Sequence, residues 1–288
     1  MTAPSHPTIG LVLPTMGSGA NVEAIDAAAE AATRVGWTDV WVPDHLLVEQ
    51  AAADPHGTIL DPIVALAHVA ARYPDLRVGT AVVLVPLRNA VILAKQLATL
   101  DLVSGGRLQV GVGSGWSAVE FANVGPPAQF QERGAYLDEA IALWRHLWSG
   151  TTAPFHGRFH ELEDYAFAPL PGRGARIPIW IGGQSPPAVR RAARIGDGHL
   201  ASKTTPSELA ARREILAREA EAAGRPMPRI AVRLALDASK PIDPRAAVKR
   251  ISEYGQAGAE QVVISFGTTD SESVVAAVER LAAALWRP

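Results

Sequence analysis

The chain has 288 residues, 48% hydrophobic and 19% charged, with a formal net charge of −2. Such a balance supports a sizeable folded core and excludes disorder, and the charge excludes an electrostatic footprint for nucleic acid or an anionic membrane. Cysteine is absent, which excludes disulfides, thiolate nucleophiles and Cys-based metal sites and agrees with a cytoplasmic, reducing setting.

Short apolar runs of β type alternate with helical periodicity along the whole chain. A strand is expected over 8–13, then a helix over 22–35, a strand over 39–42 and a helix over 62–73. The pattern continues with a strand over 77–84, a helix over 90–103, a strand over 107–112 and a helix over 132–148. Strands at 178–181, 198–201, 229–236 and 261–265 alternate with helices at 187–195, 207–223, 244–254 and 272–285. Several strands are almost wholly apolar, as parallel strands covered on both faces are. Eight strand–helix pairs predict a (β/α)8 TIM barrel with its working site at the C-terminal strand ends, in one domain over 1–288; a doubly wound open sheet is the alternative. Two stretches break the rhythm: the connection 43–60, and an insertion at 150–177 between the fourth and fifth strands. Neither a bilayer-spanning apolar run nor a secretory leader is expected.

Four clusters carry chemistry. Gly111-Val112-Gly113-Ser114-Gly115-Trp116 closes the fourth strand. Its glycines either admit a ligand to the backbone or relieve crowding in the barrel. Ile181-Gly182-Gly183-Gln184-Ser185 closes the fifth strand and reads as a phosphate cradle or as a plain turn capped by Ser185. Ser202, Lys203, Thr204 and Thr205 follow the sixth strand and can add donors to the same anion. Trp41-Val42-Pro43-Asp44-His45 puts a carboxylate and an imidazole at the second strand end, where histidine suits proton transfer near neutral pH, although adjacent residues face opposite ways and Asp44 need not orient His45. Gly79-Thr80-Ala81-Val82-Val83 lies in the third strand and is compatible with a bulge. His56 and His199, near strand ends, are secondary candidates. No HExxH, Walker A or GxSxG pattern and no metal-ligand spacing is evident, so no metal is expected.

In order and spacing, residues 40–47, 78–116, 120–125, 131–165 and 177–201 resemble the bacterial luciferase-like oxidoreductases, which use flavin or coenzyme F420. The resemblance implies a barrel with a flavin-type ring in its mouth and a homodimer acting on a small molecule. It implies a catalytic role for His45, a cofactor-binding role for Asp44 beside it, and phosphate contacts at Gly182 and Gly183 with Ser114 and Gly115 on the fourth-strand loop. It further implies a non-proline cis peptide at Ala81–Val82, after Thr80, behind the ring. Where sugar-phosphate-oxidising relatives carry a proton-transferring Glu, this chain has Trp116, whose indole exchanges no proton. The expected activity is therefore a coenzyme F420-dependent oxidoreductase of a different substrate, with an FMN-dependent monooxygenase as the alternative. A non-redox phosphate-substrate barrel and a non-catalytic binding protein are further alternatives.

Overall fold

A computed structural model describes residues 7–50, 58–126 and 129–285. His6 and His56, and the 51–57 part of the second-strand connection, lie outside them. The first half of the chain runs β1 (Thr8–Val12), α1 (Val22–Arg34), β2 (Asp39–Val42), α2 (Pro62–Arg72), β3 (Arg77–Thr80), β4 (Val83–Leu84), α3 (Ala90–Val103), β5 (Leu108–Gly113), α4 (Ala118–Val124) and α5 (Arg133–Trp148). The second half runs β6 (Phe155–His156), β7 (Glu161–Leu162), β8 (Ile179–Gly182), α6 (Pro186–Ile195), β9 (Gly198–Ser202), α7 (Pro206–Ala222), β10 (Arg229–Leu236), α8 (Pro244–Gln256), β11 (Gln261–Phe266) and α9 (Ser271–Leu285).

The sheet is parallel and closes on itself. Its order is β3-β2-β1-β11-β10-β9-β8-β5-β4, and β3 also pairs β5, with Val78 opposite Leu108 and Gly79 opposite Gln109. That closing pair removes both edges and settles the choice in favour of the (β/α)8 barrel over the open sheet. The order places β3/β4, β5, β8, β9, β10, β11, β1 and β2 successively around the barrel.

Alternation along each strand divides the apolar residues into two layers. Trp41, Ala81, Trp180, Leu200, Ala231 and Val263 meet inside the barrel. Leu11, Val40, Val78, Val110 and Ile179 face outward and pack beneath the helices. At the N-terminal strand ends Asp39 is fully buried, accepting from Arg77 Nε (2.8 Å) and Gln109 Nε2 (2.6 Å). Several helices open with capping side chains: Asp61 before Pro62, Asn89, Ser117, Ser185 before Pro186, Asp243 before Pro244, and Thr205 in a reciprocal capping box with Glu208.

Three features depart from the periodicity reading. The expected strand 77–84 is two strands, β3 and β4, separated at a cis Ala81–Val82 peptide, the position the resemblance implied. The seven-residue α4 was not expected. The 150–177 insertion holds a two-stranded antiparallel hairpin, and its anchors run to the outer helices. Glu139 of α5 accepts the Phe159 and His160 N–H groups and bonds the His160 ring, and Asp101 of α3 pairs with Arg173. The insertion is thus bound along α3 and α5.

Candidate active site

The bulge between β3 and β4 builds one wall of the barrel mouth. Thr80 is buried, and its Oγ1 donates to Gly111 O (2.7 Å) while the Ala81 N–H donates to Val42 O (2.7 Å). The Thr80 carbonyl oxygen occupies the space a Cβ on Gly111 would need, and the Val82 methyls occupy that of Gly113. A Cβ on Gly182 would lie 2.5 Å from Val82 Cγ1. No real Cβ tolerates such separations, so the Thr80 carbonyl requires the glycine at 111, and the protruding Val82 requires those at 113 on β5 and 182 ending β8. Val82 touches both the interior cluster around Trp41 and Trp180 and a second cluster of Leu84, Leu87 and Phe121. The product is an apolar step, bare of side chains on its β5 and β8 flanks.

His45 follows β2 at the same end. Its Nδ1 lies 2.8 Å from Oε2 of Glu120. Glu120 is 1% exposed, and its Oε1 accepts the N–H groups of Leu46 (2.7 Å) and Leu47 (3.1 Å). Burial alone would raise the pKa of this carboxyl, but the bonds from His45, Leu46 and Leu47 outweigh it and hold the group below the ordinary carboxylate value. Glu120 is delivered by α4, whose first turn is set by Ser117: the Glu120 N–H donates to Ser117 Oγ (3.1 Å). Trp116, 63% exposed, meets the His45 ring edge-on with centroids 5.8 Å apart, so it is an aromatic rim and not a core residue. These residues surround a small pocket together with Leu47 and Val48.

Asp44, though adjacent, belongs to a different network. Its carboxylate accepts from the Leu84 N–H (2.9 Å) and from Arg88 Nε (3.2 Å) and Nη2 (2.8 Å), and Arg88 continues to Asp61, the α2 cap (3.1 Å). Asp44 is 3% exposed and ties the end of β2 to β4 and α2. It positions the mouth, and its neighbour His45 is oriented by Glu120 instead. Glu120 went unread in the sequence because a Ser-x-x-Glu pattern signals a capping box, in which the Glu returns to its own helix start. Here the backbone half of that motif forms, and the carboxylate goes elsewhere.

The remaining candidates divide by strand face. Ser202 stands two residues beyond inward-facing Leu200 and shares its side of β9. Ser114 and Gly115 form the turn after β5, Gly115 with φ +78°. Gly183, φ +121°, turns the chain out of β8. The N-terminus of α6 is poor in donors, since Pro186 and Pro187 have no N–H and the Ala188 N–H goes to Ser185 Oγ. Any phosphate held here depends on the backbone of Gly183, Gln184 and Ser185. Thr204 and Thr205 are engaged with Glu208. His199 points outward, away from the mouth, and burial lowers its pKa to about 4. Among the described residues no group of three or more His, Cys, Asp or Glu side chains could hold a metal ion, and no helix is long and apolar enough to cross a membrane.

A flat ring with an apolar face fits this arrangement: the Val82 step gives it a wall, and the side-chain-free flanks at Gly113 and Gly182 leave that wall uncovered.

The model of the luciferase-like monooxygenase family matches residues 8–282. An F420-dependent glucose-6-phosphate dehydrogenase of Amycolatopsis mediterranei is 34% identical over 62% of this chain, a match that spans about half (53%) of that enzyme. An uncharacterised protein of Mycobacterium tuberculosis is 32% identical over 96% of this chain and 98% of its own length. The solved structure of an F420-dependent secondary alcohol dehydrogenase with an F420–acetone adduct superposes with a TM-score of 0.80, covering 98% of this chain and 100% of that one, at 19% identity, a likeness of fold.

Proposed function

The chain belongs to the luciferase-like monooxygenase family, and on that premise we propose that it is a coenzyme F420-dependent oxidoreductase acting on a small organic molecule. The observation that carries the reading is the Val82 step seated among Gly111, Gly113 and Gly182 at the mouth that also holds the His45–Glu120 pair. The relative named as an F420-dependent dehydrogenase supports the choice of cofactor.

When bound, the deazaflavin supplies the hydride chemistry. The chain supplies the rest. Val82, with Thr80 and Ala81 behind it, gives the ring an apolar support and keeps water from that face. Ser202, Gly182, Gly183, Ser114 and Gly115 border the mouth and offer hydroxyl and backbone groups to the cofactor. His45 gives or takes the proton that balances hydride transfer, and ionised Glu120 holds and orients the imidazole through Nδ1, as a carboxylate partner does for catalytic histidines. Trp116 forms an aromatic rim beside that proton carrier. A cytoplasmic homodimer is part of the same reading and is checked by sedimentation.

Fluorescence titration of the purified protein with F420 and, separately, with FMN tests the proposal. Saturable F420 binding, followed by oxidation of reduced F420 in a screen of carbonyl and enone acceptors, is the expected result. Tight FMN binding without F420 binding transfers the reading to an FMN-dependent monooxygenase, and failure of both leaves a barrel without redox function.

A further inference from the structure

We infer that Arg233 is an anion-recognition residue of the barrel mouth, and that the substrate carries a carboxylate or phosphate group which this guanidinium selects. The inference rests on the reading of the mouth as a redox site.

Arg233 lies on β10, two residues beyond Ala231, which faces the interior beside Trp41 and Trp180. Residues two apart on a strand share a face, so Arg233 also turns inward, one layer closer to the C-terminal end. Register agrees: Arg233 is opposite Ser202 on β9 and Val263 on β11, and Val263 belongs to the interior cluster. Its hydrogen bond runs from Nε to Ser265 Oγ at 3.2 Å, and Ser265 is itself buried two residues beyond Val263.

Among the described residues no carboxylate pairs with it. The other arginines near the strand ends differ. Arg77 is held by Asp39, Arg88 by Asp44 and Asp61, and Arg173 by Asp101. Arg107 spends its guanidinium on the carbonyls of Ala70 and Tyr73. Burial lowers the pKa of Arg233, and no countercharge offsets it. A half-buried cation that no carboxylate pairs with among the described residues is costly, and such costs are retained where function uses them. A guanidinium presents a planar fork that matches a carboxylate or phosphate in bidentate fashion. Ser265, accepting from Nε, has its own O–H to donate to the same anion.

Position separates substrate from cofactor. The Val82 step belongs to β3/β4, and β10 stands four strands away in either direction around the barrel. Arg233 therefore faces Val82 across the mouth. A ring supported on Val82 leaves Arg233 on the opposite side, where a reacting molecule lies.

The test uses the full chain with Arg233→Gln, Arg233→Lys and Arg233→Met. Cofactor-free protein is titrated by calorimetry and thermal shift with inorganic phosphate and with benzoate. The wild type is expected to bind at least one saturably and to gain Tm, and Arg233→Gln and Arg233→Met to bind it at least about tenfold more weakly, the cost of a lost charged hydrogen bond. Arg233→Met, freed of a half-buried charge without a carboxylate partner, is expected to match or exceed the wild-type Tm without anion. F420 affinity is expected to stay within about twofold in all variants. With F420-competent protein, acceptors compared as free acid and as neutral ester should show a KM preference for the acid that Arg233→Gln abolishes and Arg233→Lys partly keeps. Absence of oxyanion binding in the wild type, a preference that survives Arg233→Gln, or a loss of F420 affinity with unchanged oxyanion binding overturns the inference. The anion titration needs no cofactor, so it stands or falls separately from F420 binding.

Discussion

Glu120 is the residue on which the mouth turns. A carboxylate 1% exposed stays ionised only if donors replace its water, and three do: the His45 ring and the Leu46 and Leu47 N–H groups. Its folded pKa lies below its unfolded one, so it stabilises the fold above the ordinary carboxylate range, and that contribution is lost as pH falls through the folded value. Two substitutions separate its roles. Glu120→Gln keeps an oxygen for the backbone donors but removes the charge facing His45; kcat is expected to fall roughly 10–100-fold, with the pH profile displaced and Tm little changed. Glu120→Ala strands the buried donors and is expected to cost about 2–4 kcal/mol by urea denaturation. Equal Tm losses in the two variants, with an unmoved pH profile in Glu120→Gln, would reduce Glu120 to scaffolding. Asp44 is the contrasting case: its oxygens are consumed by Leu84 and Arg88, so Asp44→Asn should lower Tm more than it alters the pH profile.

At the scale of elements, the bulge and its glycines form one unit. Gly111 is opposed by a backbone atom, the Thr80 carbonyl oxygen, whereas Gly113 is opposed by the far end of the Val82 side chain. Gly111→Ala cannot be relieved by repacking and is expected to destabilise by at least about 3 kcal/mol. Gly113→Ala should cost less, and Val82→Ala in the same chain should recover much of it, because the Val82 Cβ stands an ordinary 3.5 Å from the added methyl. Denaturation of the two single variants and the double variant measures the coupling; strict additivity would show that Gly113 is not there for Val82. Helices such as α1 and α8 were legible in the sequence because an apolar face recurs every 3.6 residues, and strands such as β11 because they are short, nearly continuous apolar runs. The GxGxG run was also legible, but not its cause, since Thr80 and Val82 arrive from a strand some thirty residues away. In α4, Glu120 and Phe121 are the buried residues, too few for a periodic signal, and so the helix carrying the carboxylate stayed hidden. Arg233 interrupts an apolar strand with no motif around it, and only barrel closure shows which way it faces.

Over the whole molecule, closure places polar groups not only in the mouth but between the barrel and its helices, and His199 is one of them. Gly198 and Leu200 face the interior, so His199 faces the helices, where it is fully buried. Its Nδ1 lies 3.1 Å from Ile181 O on the adjacent strand, and its Nε2 has no hydrogen-bond partner among the described residues. The bond to Ile181 fits a neutral ring with the proton on Nδ1. Burial, reinforced by nearby Arg212 and only partly offset by the Ile181 carbonyl, takes the pKa from 6.5 to about 4. The sign follows from linkage: above pH 6.5 the ring is neutral folded and unfolded, and stability does not depend on it. As pH drops below 6.5 the unfolded chain takes up a proton that the folded chain refuses, so stability declines until about pH 4, where the folded ring titrates too. A shift of that size corresponds to a loss of about 3 kcal/mol across the window. Urea denaturation at closely spaced pH values between 7.5 and 4.5 reads it directly. Most carboxylates titrate lower, so the upper part of the decline belongs to histidine. His199→Asn, which keeps a donor for Ile181 O and cannot take up a proton, is expected to flatten that part of the curve even if it lowers stability overall. An unchanged slope in His199→Asn would move the acid sensitivity to other groups.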